Sequence, residues 1–157
     1  MIRNIRAENI KSTFNIGIIT SRFNHEITEP LCQGAIDRLH ELGFTNDNIT
    51  TVWVPGAVEI PLTAQRLAKT QHYEVLIALG AVIQGETRHM DYVCDQVSQG
   101  CQQVMLAHDI PIIFGVLTTN NERQAIERIG GKHGHKGRDA ADAAYEMVSV
   151  LRQIKSL

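Results

Sequence analysis

Nine consecutive apolar or small residues, Val75-Leu-Ile-Ala-Leu-Gly-Ala-Val-Ile83, constrain this chain more than any other stretch. The run is far too short to cross a bilayer and has the length and composition of a buried strand. Gly85 breaks it. Thr87 then offers a hydroxyl beside His89, and a helix follows from about Met90 to His108. In that helix Val93, Val97, Cys101, Val104 and His108 recur at intervals of four and three, which is helical spacing. A buried strand that ends in a small-residue turn and opens a helix presents free backbone N–H groups, with the helix dipole behind them, to an anion. The imidazole of His89 adds a group that exchanges protons near neutral pH. Such junctions are common in α/β proteins, so one of them does not make a site.

The same alternation runs through the whole chain. Phe14 to Ser21 reads as a first buried strand, interrupted by Arg22-Phe-Asn-His25. A helix follows with Ile27, Leu31, Ala35, Leu39 and Leu42 on one stripe and Gly43 near its C-cap. Thr50 to Val54 is a second strand, stopped by Pro55-Gly56, and a helix from about Glu59 to Lys69 tolerates Pro61 in its first turn. Ile110 to Leu117 is a fourth strand, and Pro111 near its start suits an edge position. Thr118-Thr-Asn-Asn121 caps a short helix from Glu122 to Ile129; Gly130 to Gly137 reads as a loop. A last helix runs from about Arg138 to Lys155, with Ala140, Ala144, Met147, Leu151 and Ile154 expected inward.

Strands alternating with helices imply right-handed crossovers. The expected fold is α/β: a three-layer α/β/α sandwich on a four-stranded parallel sheet, flavodoxin-like. The 157 residues fit one domain, with residues 1–13 an N-terminal arm or edge strand. Ligands of such folds bind beyond the carboxyl ends of the strands. Those ends read Ser21 to Asn24, Pro55 to Glu59, Gly85 to His89 and Thr118 to Asn121, and all four should meet at one rim.

Several chemistries are excluded. Gly80-x4-Gly85-x-Thr87 has the spacing of a phosphate-binding P-loop, but Glu86 stands where the Lys is required and would repel a triphosphate. No Gly-x-Ser-x-Gly elbow, acidic pair after the first strand or Gly-rich dinucleotide turn is present. His133-Gly-His135 has no acidic partner nearby, so no metal is expected. A formal net charge of -2 points to neither nucleic acid nor an anionic membrane. No apolar stretch follows the basic residues of Met1 to Arg6, so no signal peptide is read there. Three cysteines, Cys32, Cys94 and Cys101, without a Cys-x-x-Cys pair fit core packing in a reducing cytoplasm. What remains is a rim that orients organic partners, holds a phosphate and moves protons, which suits a condensation or elimination.

Four motifs sharpen this. Arg22-Phe-Asn24, Val54-Pro-Gly-Ala-Val-Glu-Ile-Pro61, Leu79 to Val93 and Phe114 to Arg128 occur in the order in which the lumazine synthase family carries them. The Lys132 to Asp139 segment also resembles that family, and the likeness covers about residues 14–152. The resemblance implies condensation of 5-amino-6-(D-ribitylamino)uracil with 3,4-dihydroxy-2-butanone 4-phosphate, with loss of phosphate and water and no cofactor. It implies a stack of Phe23 on the uracil with Asn24 beside it, and a ribityl chain held by Ala57, Val58 and Glu59. Ala81, Val82 and Ile83 would meet the pyrimidine edge, and Phe114 would line the ring pocket. Gly85, Glu86, Thr87 and Arg128 would hold the phosphate, with Lys136 and Asp139 nearby, and His89 would carry the proton. Phe114, Arg128 and Lys136 would come from an adjacent subunit. The resemblance further implies pentamers, assembled as an icosahedral 60-mer in preference to a free pentamer, and riboflavin synthase as a partner. The rival expectation is a non-catalytic shell protein that merely binds flavin or lumazine.

Overall fold

The computed structural model describes all residues from Met1 to Leu157. Four parallel strands form its sheet: β1 (Ile16–Ser21), β2 (Ile49–Val54), β3 (Val75–Ile83) and β4 (Ile112–Thr119). They lie in the order β2-β1-β3-β4, so the two most apolar strands are central and β4, entered through Pro111, is an edge. The connecting helices are α1 (His25–Glu41), α2 (Ile60–Lys69), α3 (His89–His108), α4 (Glu122–Ile126) and α5 (Lys136–Lys155). Apolar side chains from alternate positions of the strands fill two cores. Ile16, Ile18, Ile77 and Leu79 face α1 and α5, while Ile19, Leu76 and Ala78 face α2 and α3. This is the expected three-layer sandwich.

Local signals set the helix ends. Gly43, with φ of 102°, follows α1 and lets Phe44 N–H reach the Leu39 carbonyl at 3.0 Å, closing a Schellman cap. Asn121 caps α4 by accepting the Gln124 N–H at 2.9 Å. Cys32 and Cys101 are buried, and burial pushes the Cys101 thiol up to about 11, so it serves as a small apolar group.

The region after β4 departs from expectation. α4 stops at Ile126, three residues short of the expected end. The following segment is a hairpin of β5 (Ile129–Gly131) and β6 (Gly134–His135), not a loop, and α5 begins at Lys136. Positive φ at Gly130 and Gly134 admits this tight reversal, and the glycine content that suggested a loop is what permits it. Along α5, Ala140, Ala141, Ala144 and Val148 are buried, but Met147, Leu151 and Ile154 are substantially exposed. A helix of twenty residues outruns the strands it packs on, so Leu151 and Ile154 project past the amino ends of β3 and β4 beside Tyr73 and Pro111.

Residues 1–13 form no strand. They lie along α5, where Glu8 N–H donates to Ser149 Oγ at 2.9 Å and Ile10 N–H to the Tyr145 hydroxyl at 2.7 Å. No helix is long and apolar enough to cross a membrane.

Candidate active site

The strand order reverses between β1 and β3, and a cavity of about 620 Å³ opens there at the carboxyl ends of β1, β2 and β3. Backbone bonds hold its floor. β1 continues its pairing with β2 past the strand end, through Arg22 N–H to the Val54 carbonyl at 2.8 Å and Phe23 N–H to the Pro55 carbonyl at 3.1 Å. Asn24 then turns the chain into α1 in the left-handed conformation, with φ of 62°. Its Nδ2 donates to the Ala81 carbonyl at 2.9 Å, which ties β1 to β3. The Phe23 ring, 70% exposed, is left standing at the cavity with no core to cover.

Asn24→Gly is expected to keep the left-handed turn and lose only the amide tie, lowering stability by about 0.5–1.5 kcal/mol. Asn24→Ala should cost a further ~1 kcal/mol, because a Cβ disfavours that backbone and Ala lacks the local hydrogen bond. Urea denaturation of both variants checks the order; equal losses would remove the conformational argument.

The β3–α3 turn leaves backbone donors unpaired. No protein acceptor meets the N–H groups of Gly85, Glu86 or Thr87. Gln84 stiffens the turn, donating from Nε2 to the carbonyls of Gly85 and Thr87 at 3.2 and 3.1 Å, and its own N–H meets the Thr119 carbonyl at 2.8 Å. Thr87 Oγ1 accepts the His89 N–H at 3.3 Å, and α3 starts at His89, one residue before the expected Met90. The His89 ring lines the cavity and makes no hydrogen bond to the protein, so both ring nitrogens are available to a ligand.

The first cavity thus collects Phe23, Asn24, Ala57, Val58, Glu59, Ala81, Val82, Ile83, Gly85, Thr87 and His89. Glu86 is exposed and does not line it. The end of β4, expected at the same rim, is absent from this cavity, because β4 lies beyond β3 at the sheet edge. Pro55, Gly56, Met90 and Val93 also line it. Pro55 and Gly56 belong to the strand end expected at this rim, and Val93 stands one helical turn after His89.

Phe114, Arg128, Lys136 and Asp139 line a different, more open cavity of about 400 Å³ between β4 and α5. Arg128 Nη1 donates to the Gln124 carbonyl at 2.8 Å, and Lys136 Nζ lies 3.6 Å from Asp139 Oδ2. The two cavities are electrostatically unlike. Glu59 and His89 are the ionisable groups of the first, which has no Lys or Arg in its lining, whereas the second carries two cations.

The family model described as 6,7-dimethyl-8-ribityllumazine synthase matches residues 13–152. The chain belongs to the lumazine synthase family. Among its relatives is the 6,7-dimethyl-8-ribityllumazine synthase of Coxiella burnetii (strain CbuG_Q212), 55% identical over 145 residues, which are 92% of this chain and 96% of the relative. The protein of that name from strain RSA 493 / Nine Mile phase I has the same identity and coverage. The Dugway 5J108-111 strain's is 54% identical over the same length. The lumazine synthase match runs through both cavities and ends within α5.

Proposed function

We propose that this protein is a 6,7-dimethyl-8-ribityllumazine synthase, condensing 5-amino-6-(D-ribitylamino)uracil with 3,4-dihydroxy-2-butanone 4-phosphate at the penultimate step of riboflavin biosynthesis. The observation that carries the reading is the cavity at the switch point, which gathers motif residues from three strand ends in a chain of this family. Phe23 stacks on the uracil ring, with Asn24 holding its turn. Glu59 and the backbone of Ala57 and Val58 take the ribityl hydroxyls. Backbone groups of Val82 and Ile83 meet the pyrimidine edge; Ala81 has one carbonyl lone pair committed to Asn24. The free N–H groups of Gly85, Glu86 and Thr87 bind the phosphate, with Glu86 acting through its backbone.

Joining amine to ketone expels water, and the phosphate departs as a stable anion. Both steps move protons, and His89 carries them. Orientation of the two substrates supplies much of the remaining acceleration. No cofactor or metal enters.

The first cavity lacks a cation for a phosphate, and the second contains no histidine. A complete site therefore joins the first cavity of one subunit to Phe114, Arg128, Lys136 and Asp139 of a neighbour. The whole chain acts as one domain of a cytoplasmic homo-oligomer built of pentamers. The hairpin of β5 and β6 is short, which favours the sixty-subunit shell over the free pentamer, with riboflavin synthase as a partner. Analytical ultracentrifugation distinguishes the two assemblies.

Activity is tested by mixing both substrates with the protein and following lumazine by absorbance and fluorescence, against heat-denatured protein. A rate that depends on both substrates is the expected result. No rate from folded, assembled protein would leave a shell that only binds flavin or lumazine.

A further inference from the structure

His135 ends the β5–β6 hairpin and directly precedes α5. Its half-buried ring turns away from the second cavity and into the seam between α1 and α5. A Cβ on Gly34 of α1 would overlap that ring, and one on Gly137 of α5 would stand 3.0 Å from its Cε1. Gly34 is thus a position where only glycine leaves room for the ring, while at Gly137 the tighter neighbour is the Leu31 carbonyl of α1, which a Cβ would overlap. Its Nδ1 accepts the Arg138 N–H at 3.3 Å and caps α5. That bond requires a neutral imidazole with its proton on Nε2. The next residue is Lys136, whose N–H donates to the Arg128 carbonyl at 2.8 Å. The seat of His135 is therefore joined through the backbone to both cation-bearing residues of the second cavity.

Three charged groups face the ring: Arg138 and Asp139 from α5, and Asp37 from α1. β5 brings no ionisable side chain. Arg138 is itself bound to Glu41 at 2.6 Å. Burial, with help from the Arg138 guanidinium, holds the imidazole below its ordinary 6.5, against the pull of Asp139 and Asp37.

We propose that His135 is a positioning residue of the second cavity: its neutral ring, wedged between Gly34 and Gly137, fixes Arg128 and Lys136 for the phosphate, and taking up a proton releases them. The proposal rests on the reading of that cavity as the phosphate end of the site. A proton on Nδ1 removes the acceptor for the Arg138 N–H. It also puts a positive charge at a helix N-terminus, where the dipole is already positive. The unfolded chain takes up this proton first as pH falls. The stabilisation is therefore complete above the ordinary 6.5 and is lost as pH drops below it toward the folded value.

The test compares assembled wild type, His135→Asn and His135→Leu between pH 5 and 8, reading kcat, KM for the butanone phosphate and the thermal midpoint. Asn keeps an N-cap acceptor and does not titrate. On the acid side the wild-type KM should rise roughly three- to tenfold more than that of His135→Asn, the size of one lost cap, while kcat changes alike in both. The wild-type midpoint should fall relative to His135→Asn in the same window. His135→Leu should show a raised KM throughout, with no such acid step. Parallel wild-type and His135→Asn profiles would overturn the proposal. If none of the three turns over, the synthase reading fails, and the midpoint profiles still decide the cap. Should His135→Asn not assemble, hydrogen exchange of wild-type residues 127–139, corrected for intrinsic rate, replaces it. Protection lost below about pH 6.5 supports the proposal; constant protection rejects it.

Discussion

Replacing Arg128 with Ala is expected to raise KM for the phosphate-bearing substrate roughly ten- to a hundredfold, the equivalent of about 1.5–3 kcal/mol for a charge-assisted hydrogen bond. Arg128 is half-buried and spends one N–H on the Gln124 carbonyl, which fixes the guanidinium and leaves further donors free. A pre-oriented fork loses less entropy on binding a phosphate than a free side chain does. Lys136 remains beside it, so the cavity keeps one cation and binding is weakened rather than abolished. Arg128→Lys should recover only part of the loss, because an ammonium cannot bind two oxygens in the same plane. Steady-state kinetics with the uracil substrate saturating reads the effect directly. An unchanged KM with turnover intact would move the phosphate away from Arg128.

His89→Ala is expected to lower kcat by about 10²–10⁴-fold, the range of general acid–base catalysis, and to leave measurable turnover. The His89 ring is exposed and bonded to nothing in the protein, so its loss should leave folding stability within ~0.5 kcal/mol of wild type. That separation makes the variant informative: a fall in rate then reports chemistry and not assembly. The residual rate measures what orientation contributes, since Phe23, Glu59 and the anion turn still hold both substrates. Complete loss of activity in a correctly assembled His89→Ala protein would refute this division between proton transfer and positioning. A kcat within twofold of wild type would remove His89 from the chemistry altogether.

Much of the first cavity was legible because its residues sit next to strong backbone signals. Phe23 and Asn24 follow a buried strand, Pro55-Gly56 ends another, and Gly85 to His89 terminate the nine-residue apolar run. In a parallel sheet every strand presents the same end to the same rim, so strand periodicity alone brings these segments near one another. Errors gathered where glycine is dense. Gly130 to Gly137 carries no apolar period, and a hairpin closed by positive-φ glycines cannot be told from a loop by composition. The outward turn of Met147, Leu151 and Ile154 was equally hidden, since periodicity gives the apolar stripe of a helix and not how far the sheet beneath it extends.

By itself the amino-acid sequence determined the layer architecture, the edge position of β4 and the rim that carries the first cavity, which follow from hydrophobic period and local turn chemistry; the family resemblance rests instead on four motifs in order. Hydrophobic period and turn chemistry put the end of β4 at the same rim as His89, and the tertiary structure decided that Phe114 and Arg128 line a separate cavity, as the family resemblance implied. The physical reason is strand order: β3 stands between β1 and β4, so a residue on the edge strand is carried away from the switch point whatever its sequence neighbours suggest. Tertiary packing alone also seated His135 between Gly34 and Gly137, a contact joining residues about a hundred positions apart that no local pattern encodes.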